Sequence, residues 1–222
     1  MSIGFSRFDL LQSLLTGAIA AVAIAQAAVT VAMTAREIAQ LAVPITVQIN
    51  NNLSGGGSGA IIARSGNTYT VLTVNHVVKR PDLTYTIRTH AGKDYPVTQV
   101  QRLQQSENDP DLAIVTFESS DEHPIAALGD SDQAAIGVEV YVSGYPALEE
   151  RLGEQRDYEF SPGIITSRPT NRPQGYALRY NAVTVNGMSG GPVLDASGRV
   201  VGIHGQGESE NSIVGEFGAV AI

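Results

Sequence analysis

The chain has 222 residues, of which 43% are apolar and 16% charged, with a formal net charge of −8 and no cysteine. This composition is typical of a folded protein, and an acidic chain is a poor partner for nucleic acid or anionic lipid. Without cysteine there is no disulfide framework and no thiolate metal site, and the scattered acids form no calcium loop, so we expect no metal, no cofactor and no nucleic acid.

The first 35 residues differ from the rest of the chain. Residues 14–35 are almost entirely apolar, rich in alanine and uncharged, and they follow a short, mildly polar stretch. The pattern predicts a secretory signal peptide, cleaved near Ala25–Ala27 or Ala32–Ala35, and hence export to the periplasm or the medium. Two alternatives stay open, an uncleaved membrane anchor and a helix packed on the domain. Only an uncleaved anchor would imply that the protein is attached to a membrane.

After Pro44 the chain turns into short runs rich in valine, isoleucine and threonine, bounded by glycine, asparagine or aspartate. Such runs predict β-strands, and their regular spacing predicts a sandwich or barrels. The runs form two sets of six on either side of a polar connector, Glu118–Pro124. The first set is Ile45–Ile49, Gly59–Ala63, Thr68–Val74, Leu83–Thr89, Tyr95–Gln101 and Leu112–Phe117, and the second is Val138–Val142, Glu159–Thr166, Ala177–Val183, Pro192–Leu194, Val200–His204 and Val214–Ala221.

Four polar residues lie close to the ends of these strands. His76 follows an apolar strand, Asp109 and Asp111 precede another, and Ser189 sits in a glycine-rich turn. A serine hydroxyl needs a base to become a nucleophile, histidine supplies one near pH 7, and a carboxylate fixes the tautomer of that histidine. The pattern favours a triad of His76, Asp111 and Ser189. Asp111 is the preferred acid because it directly adjoins the apolar strand, whereas Asp109 lies in the turn before Pro110.

Three motifs carry a family resemblance. Thr73–His76, Asp111–Val115 and Gly187–Pro192, in this order, resemble those of the chymotrypsin-like serine peptidases, from about residue 43 to the end. The resemblance implies an all-β fold of two antiparallel six-stranded β-barrels, spanning residues 36–120 and 121–222, with the active site in the cleft between them. It also implies hydrolysis of protein or peptide substrates through an acyl-enzyme. The lack of cysteine is similar to the bacterial branches of this family.

The resemblance also implies binding residues. The backbone N–H groups of Gly187 and Ser189 would form the oxyanion hole, as the glycine-rich turn itself suggests. Val183 holds the usual base position of the specificity pocket and is not acidic. Thr184 and His204 occupy positions that resemble those binding the substrate glutamate in V8-like glutamyl endopeptidases. The physical reason is that a desolvated carboxylate needs hydrogen-bond donors.

Several alternatives stay open beside this hypothesis. The peptidase could instead prefer small apolar P1 residues, with His204 as a pocket-wall histidine bonded to the backbone. The triad could also serve an esterase, or the fold could be a non-catalytic binding protein. His90 and His123 are expected to be solvated and structural. The glycine-rich segment Asn52–Gly59 lacks the lysine of a phosphate-binding loop and is expected to form a flexible rim of the cleft.

Overall fold

The computed structural model describes residues 32–147, 156–170, 172–207 and 217–222. Most of the predicted signal peptide or anchor, residues 1–31, therefore lies outside the described residues, as do residues 214–216 of the last predicted strand. In the described part of the chain, no helix has the length and apolar character needed to cross a membrane.

The first barrel is closed and consists of six antiparallel strands. They are β1 (Thr46–Asn51), β2 (Gly56–Ser65), β3 (Thr68–Thr73), β4 (Tyr85–Arg88), β5 (Asp94–Arg102) and β6 (Ala113–Glu118). Around the barrel the order is β1-β2-β3-β6-β5-β4. Alternate residues point inward, as in β6, where Ala113, Val115 and Phe117 are fully buried. This alternation is the period-two pattern of a strand with one face on a core.

The second barrel repeats this plan. Its strands are β7 (Glu139–Gly144), β8 (Glu159–Ser167), β9 (Leu178–Tyr180), β10 (Pro192–Asp195), β11 (Val200–Gln206) and β12 (Phe217–Ala221). Around the closed barrel the order is β10-β11-β12-β9-β8-β7. The prediction of an all-β fold with two antiparallel six-stranded barrels is confirmed. Side chains fill both interiors, so a substrate site has to lie on or between the barrels.

An N-terminal helix packs against both barrels. Helix α1 (Ala35–Ile45) begins at a capping box, in which Thr34 and Glu37 satisfy each other's backbone N–H groups. Its buried residues are Ile38, Ala42 and Ile45, and it contacts β1 and β2 of the first barrel and β7 and β10 of the second. The sequence leaves a helix open only for the first 35 residues and predicts none beyond them, whereas α1 continues to Ile45. The predicted strand Ile45–Ile49 is wrong at its first residue, because Pro44 and Ile45 form the end of α1 and β1 starts at Thr46.

In the ranges that the structure describes, short helical turns occupy three connections. Helix α2 (Asn75–Val78) follows β3 directly and carries His76, and two single turns of 3-10 helix span Ser131–Gln133 and Pro173–Gly175. Because α2 starts two residues after β3 ends, the barrel wall fixes the place of the imidazole.

The glycine-rich segment is a strand in its second half, so the expectation of a flexible rim is wrong there. Gly56 and the next three residues pair with β1 in β2. A Cβ atom on Gly57 would lie 2.6 Å from the carbonyl oxygen of Ser189. Glycine is therefore needed to let the two barrels approach each other beside the serine turn.

His123 is buried, so the expectation that it is solvated is wrong. Its ring contacts Tyr69, Tyr95 and Phe117 edge-on, and its Nε2 lies 3.0 Å from the Ser119 hydroxyl. Burial lowers its pKa below the ordinary value of 6.5. His90, in contrast, is exposed in the turn between β4 and β5.

Candidate active site

His76 and Asp111 form a close pair at one end of the first barrel. The Nδ1 atom of His76 lies 2.6 Å from Oδ2 of Asp111, and the backbone N–H of His76 donates to Oδ1 at 3.0 Å. Only 4% of the Asp111 side chain is exposed, against 39% of the His76 side chain. A buried carboxylate thus orients an imidazole whose other face is open to solvent. Asp109 does not share this role, because its carboxylate accepts the N–H groups of Gln105 and Ser106.

Tyr176 of the second barrel completes the environment of Asp111. Its hydroxyl donates to Oδ2 at 2.6 Å, and the Asp111 N–H donates to the carbonyl oxygen of Gln174 at 2.9 Å. Burial by itself raises the pKa of Asp111, but the hydrogen bonds from His76 and Tyr176 outweigh it and hold the pKa below its usual value. Asp111 is therefore ionised at neutral pH.

Ser189 lies in the turn before β10, next to the first barrel. Its carbonyl oxygen accepts the N–H of Ser58 at 2.7 Å, which ties the turn to β2. Ser189 and His76 line one cavity of about 300 Å³ between the barrels. The cavity is lined by Asn51, Gly56, His76, Val77, Lys79, Arg80, Leu83, Tyr85, Asn186, Gly187 and Ser189. The structure thus brings the three predicted catalytic residues to the same part of the molecule.

The first expected oxyanion donor is the N–H of Gly187. The preceding carbonyl, of Asn186, accepts a hydrogen bond from the Ala147 N–H at 2.7 Å. Because a trans peptide holds its C=O and N–H antiparallel, the Gly187 N–H points away from Ala147. Gly187 has a φ of 93°, which a residue with a side chain rarely adopts. This position therefore depends on glycine.

The second expected donor is the N–H of Ser189. The Met188 carbonyl oxygen accepts the Gly191 N–H at 2.9 Å, so the Ser189 N–H is turned to the opposite side. Within the described ranges neither this N–H nor that of Gly187 has a hydrogen-bond acceptor. The described part of the turn thus leaves two backbone donors, two positions apart, of the kind that can stabilise an oxyanion beside a serine hydroxyl.

The three predicted specificity residues lie in different environments. Val183 is 64% exposed and does not line the cavity that holds Ser189, so it cannot be the closed base of a pocket. Thr184 is buried, and its hydroxyl has no hydrogen-bond partner among the described residues. His204 is 2% exposed, and its Nδ1 lies 2.7 Å from the Tyr180 hydroxyl.

Burial keeps the His204 imidazole neutral. Desolvation lowers its pKa from 6.5 to about 4, although an interaction with the Gly218 backbone opposes this shift. With Tyr180 at one nitrogen and Gly218 beside it, His204 has little capacity left to bind a substrate carboxylate. The sequence does not identify Tyr176 or Tyr180, because each bonds a residue distant in the chain, Asp111 and His204 respectively.

The geometry agrees with comparisons to known proteins. The trypsin-like peptidase domain matches residues 57–203 of the chain. The chain belongs to this family. Serine protease Do-like HtrB of Bacillus subtilis is 30% identical over 186 residues, which cover 76% of the chain and 38% of that protein. A probable periplasmic serine endoprotease, DegP-like, of Marinomonas sp. is 33% identical over 153 residues, covering 68% and 29%.

Solved structures support the same fold for this trypsin-like peptidase. Two structures of the HtrA-type protease AlgW, one with a decapeptide and one with a tripeptide, have a TM-score of 0.68 to the chain. They are 21% and 22% identical to it and cover 85% of it. The chain spans less than two fifths of the length of the two curated relatives above. The prediction of a chymotrypsin-like serine peptidase is confirmed at the level of family and fold, whereas none of these names concerns glutamate.

Proposed function

We propose that the chain is a serine endopeptidase that hydrolyses peptide bonds with His76, Asp111 and Ser189. The observation that carries this proposal is the 2.6 Å contact between His76 Nδ1 and Asp111 Oδ2. His76 and Ser189 line the same cavity. A carboxylate at Nδ1 selects the tautomer in which Nε2 is unprotonated. That nitrogen can then accept the proton of a serine hydroxyl.

The reaction proceeds in two halves. The Ser189 oxygen attacks the substrate carbonyl carbon while its proton passes to Nε2 of His76, and the N–H groups of Gly187 and Ser189 bind the oxyanion. The C–N bond then breaks, and the leaving amine takes the proton from His76. A water molecule repeats the sequence on the acyl-enzyme, which releases the second product and restores the serine hydroxyl.

A serine-directed probe and matched variants test this proposal. We expect a fluorophosphonate to label the wild-type chain and Ser197→Ala, but not Ser189→Ala. Ser197 is the control because it lies exposed in the turn between β10 and β11. Wild-type protein and the control should digest unfolded casein, with no digestion by Ser189→Ala. A folded wild-type chain that is neither labelled nor active would contradict the proposal and favour the non-catalytic binding protein.

The P1 preference has two candidates. Thr184 supports glutamate, because its buried hydroxyl has no partner within the described ranges and could donate to a carboxylate. His204 favours an uncharged, apolar P1 residue, because the buried imidazole is neutral and already bonded to Tyr180. We propose the uncharged preference as the better supported of the two. Mass-spectrometric mapping of cleaved bonds decides between them, since cuts confined to glutamate would overturn it.

We also propose that the protein is exported. The apolar, alanine-rich residues 14–35 support this, as does the periplasmic description of the DegP-like relative. Sequencing the N-terminus of protein recovered from the periplasm or medium distinguishes a cleaved signal from an anchor. Recovery of only full-length protein in the cytosol would contradict export.

A further inference from the structure

Among the described residues, the guanidinium cation of Arg156 bonds only to neutral oxygens. Arg156 lies between β7 and β8, and its guanidinium donates to five acceptors drawn from both barrels. They are the carbonyl oxygens of Ile49 (3.0 Å), Gly57 (2.7 Å), Tyr145 (2.8 Å) and Gly187 (3.4 Å) and the side-chain oxygen of Asn50 (3.2 Å). Two of these residues, Tyr145 and Gly187, adjoin the serine turn. A planar fork with five donor hydrogens suits this set of acceptors, whereas the point charge of lysine does not.

No carboxylate of the described residues compensates the charge of Arg156. Burial lowers its pKa from 12.5 to about 10, and within the described ranges it forms no ion pair with a carboxylate. Desolvating a cation without a counter-ion is unfavourable, and its removal would leave several buried carbonyl groups without a donor. An apolar side chain at this position would therefore be destabilising. What an apolar residue could not replace is the geometry that Arg156 imposes on those carbonyls.

These carbonyls control the orientation of the oxyanion donors. Arg156 donates to the Tyr145 carbonyl oxygen and so fixes the chain at this residue. Two residues later, the Ala147 N–H donates to the Asn186 carbonyl oxygen. That carbonyl belongs to the same peptide group as the Gly187 N–H. Arg156 and the Ser58 hydroxyl also donate to the Gly187 carbonyl, on the other side of the same glycine. Both peptides that flank Gly187 are thereby held, directly or through one residue.

The other end of the guanidinium acts on Ser189. Arg156 donates to Gly57 at 2.7 Å, and the N–H of the next residue, Ser58, donates to the Ser189 carbonyl oxygen. We propose that Arg156 is a positioning residue for the oxyanion hole. It links β1 and β2 of the first barrel to the turn that carries Gly187 and Ser189. This inference rests on the proposed function and deepens it.

The test compares Arg156→Lys and Arg156→Ala with wild type and with Arg168→Ala. Arg168 is a matched control because it also lies in the second barrel and bonds only to Asp132 among the described residues. We expect both Arg156 variants to lose kcat with KM little changed, by about 10- to 100-fold for lysine and 100-fold or more for alanine, since loss of one oxyanion donor lowers kcat about 10²–10³-fold. A peptide boronate should lose affinity in proportion, while a non-hydrolysable peptide should not.

Circular dichroism shows whether each variant folds. If Arg156→Ala does not fold, Arg156→Lys still tests the inference, because lysine keeps the positive charge. Equal losses of boronate and peptide affinity, or a folded lysine variant with kcat within twofold of wild type, would overturn the inference. These outcomes are distinct from failure of the proposed function. In that case the wild-type chain itself is inactive, and no variant can lose activity.

Discussion

At the scale of single residues, Asp111 is held by donors from both barrels. The His76 imidazole and backbone N–H come from the first barrel, and the Tyr176 hydroxyl comes from the second. A carboxylate that accepts several hydrogen bonds stays ionised and cannot rotate. The orientation of the His76 imidazole therefore depends in part on docking of the second barrel.

Removal of the Tyr176 hydroxyl tests this dependence. We expect Tyr176→Phe to lower kcat/KM about tenfold with KM little changed, because a hydrogen bond to a charged group is worth about 1.5–3 kcal/mol. Steady-state kinetics on a peptide substrate measures the loss. Tyr95→Phe is the matched control, since its hydroxyl also bonds an aspartate, Asp121, far along the chain. Equal activity of the two variants would show that the Asp111 carboxylate needs no tyrosine.

The sequence predicts the triad candidates but not the residues that orient them through hydrogen bonds. His76, Asp111 and Ser189 each lie in a local motif next to a strand, so their spacing in the chain carries information. Tyr176 is 65 positions from Asp111, and Arg156 is 107 positions from Ile49. Nothing local distinguishes such residues from ordinary surface or core positions. Their roles come from the register and docking of the barrels, which a single sequence does not specify.

His204 makes stability depend on pH. Its pKa is about 4 in the folded chain against 6.5 ordinarily, so the unfolded chain binds more protons between these values. As pH falls from 6.5 to 4, we expect this group to lower the free energy of unfolding by about 3 kcal/mol, at roughly 1.4 kcal/mol per pH unit. Above pH 6.5 it contributes no pH dependence.

Urea unfolding at several pH values measures this effect. The slope between pH 4 and 6.5 should be smaller in His204→Gln than in wild type, because glutamine does not titrate. His90→Gln is the control, since His90 is exposed in a turn. The same slope in wild type and His204→Gln would mean that His204 is protonated in the folded protein.

At the scale of elements, the strand pattern was the strongest signal in the sequence. Runs rich in valine, isoleucine and threonine, bounded by glycine, asparagine or aspartate, made the strands recognisable. The sequence does not predict helix α1 as observed, because its start adjoins the apolar, alanine-rich N-terminal segment and Pro44 suggests a boundary. The capping box at Thr34 and Glu37 was a local signal that could have identified it. The start of β2 was missed because its glycines are typical of loops, whereas here they permit close docking.

The turn before β10 depends on Gly187 for two separate reasons. Its φ of 93° is unfavourable for any other residue, and an added Cβ would lie 2.4 Å from Ala147 N. We expect Gly187→Ala to lower kcat by about 100- to 1000-fold, because the backbone has to shift and the oxyanion donors with it. Kinetics and fluorophosphonate labelling measure the loss.

Gly137→Ala is the control for conformational strain alone. Gly137 has a φ of 88°, but nothing lies within 4 Å of an added Cβ. Both variants should therefore lose stability from the positive φ, by about 1–2 kcal/mol, and only Gly187→Ala should lose activity. If the two variants were equally active, the turn would not set the oxyanion hole.

At the scale of the whole molecule, the candidate site exists only at the junction of the barrels. Buried polar contacts join them, including Thr46 Oγ1 to Ser143 Oγ at 2.8 Å and the Tyr145 N–H to Ser58 Oγ at 2.9 Å. The directional character of hydrogen bonds fixes the relative position of two surfaces more closely than apolar contact does. The family resemblance implied a cleft between barrels, but the contacts that set its geometry emerged only from the fold.

Helix α1 stabilises this junction, since it packs against strands of both barrels. Ile38 is fully buried in α1, whereas Leu41 is 44% exposed. We expect Ile38→Ala to lower the free energy of unfolding by about 2–4 kcal/mol, as truncation of a buried isoleucine does, and Leu41→Ala to lower it by less than half as much. Urea unfolding and peptidase kinetics, followed together, measure both effects. If α1 holds the barrels in register, Ile38→Ala loses activity at lower urea concentrations than wild type, in step with its unfolding. Activity that persisted after α1 had detached would show that the barrels dock without the helix.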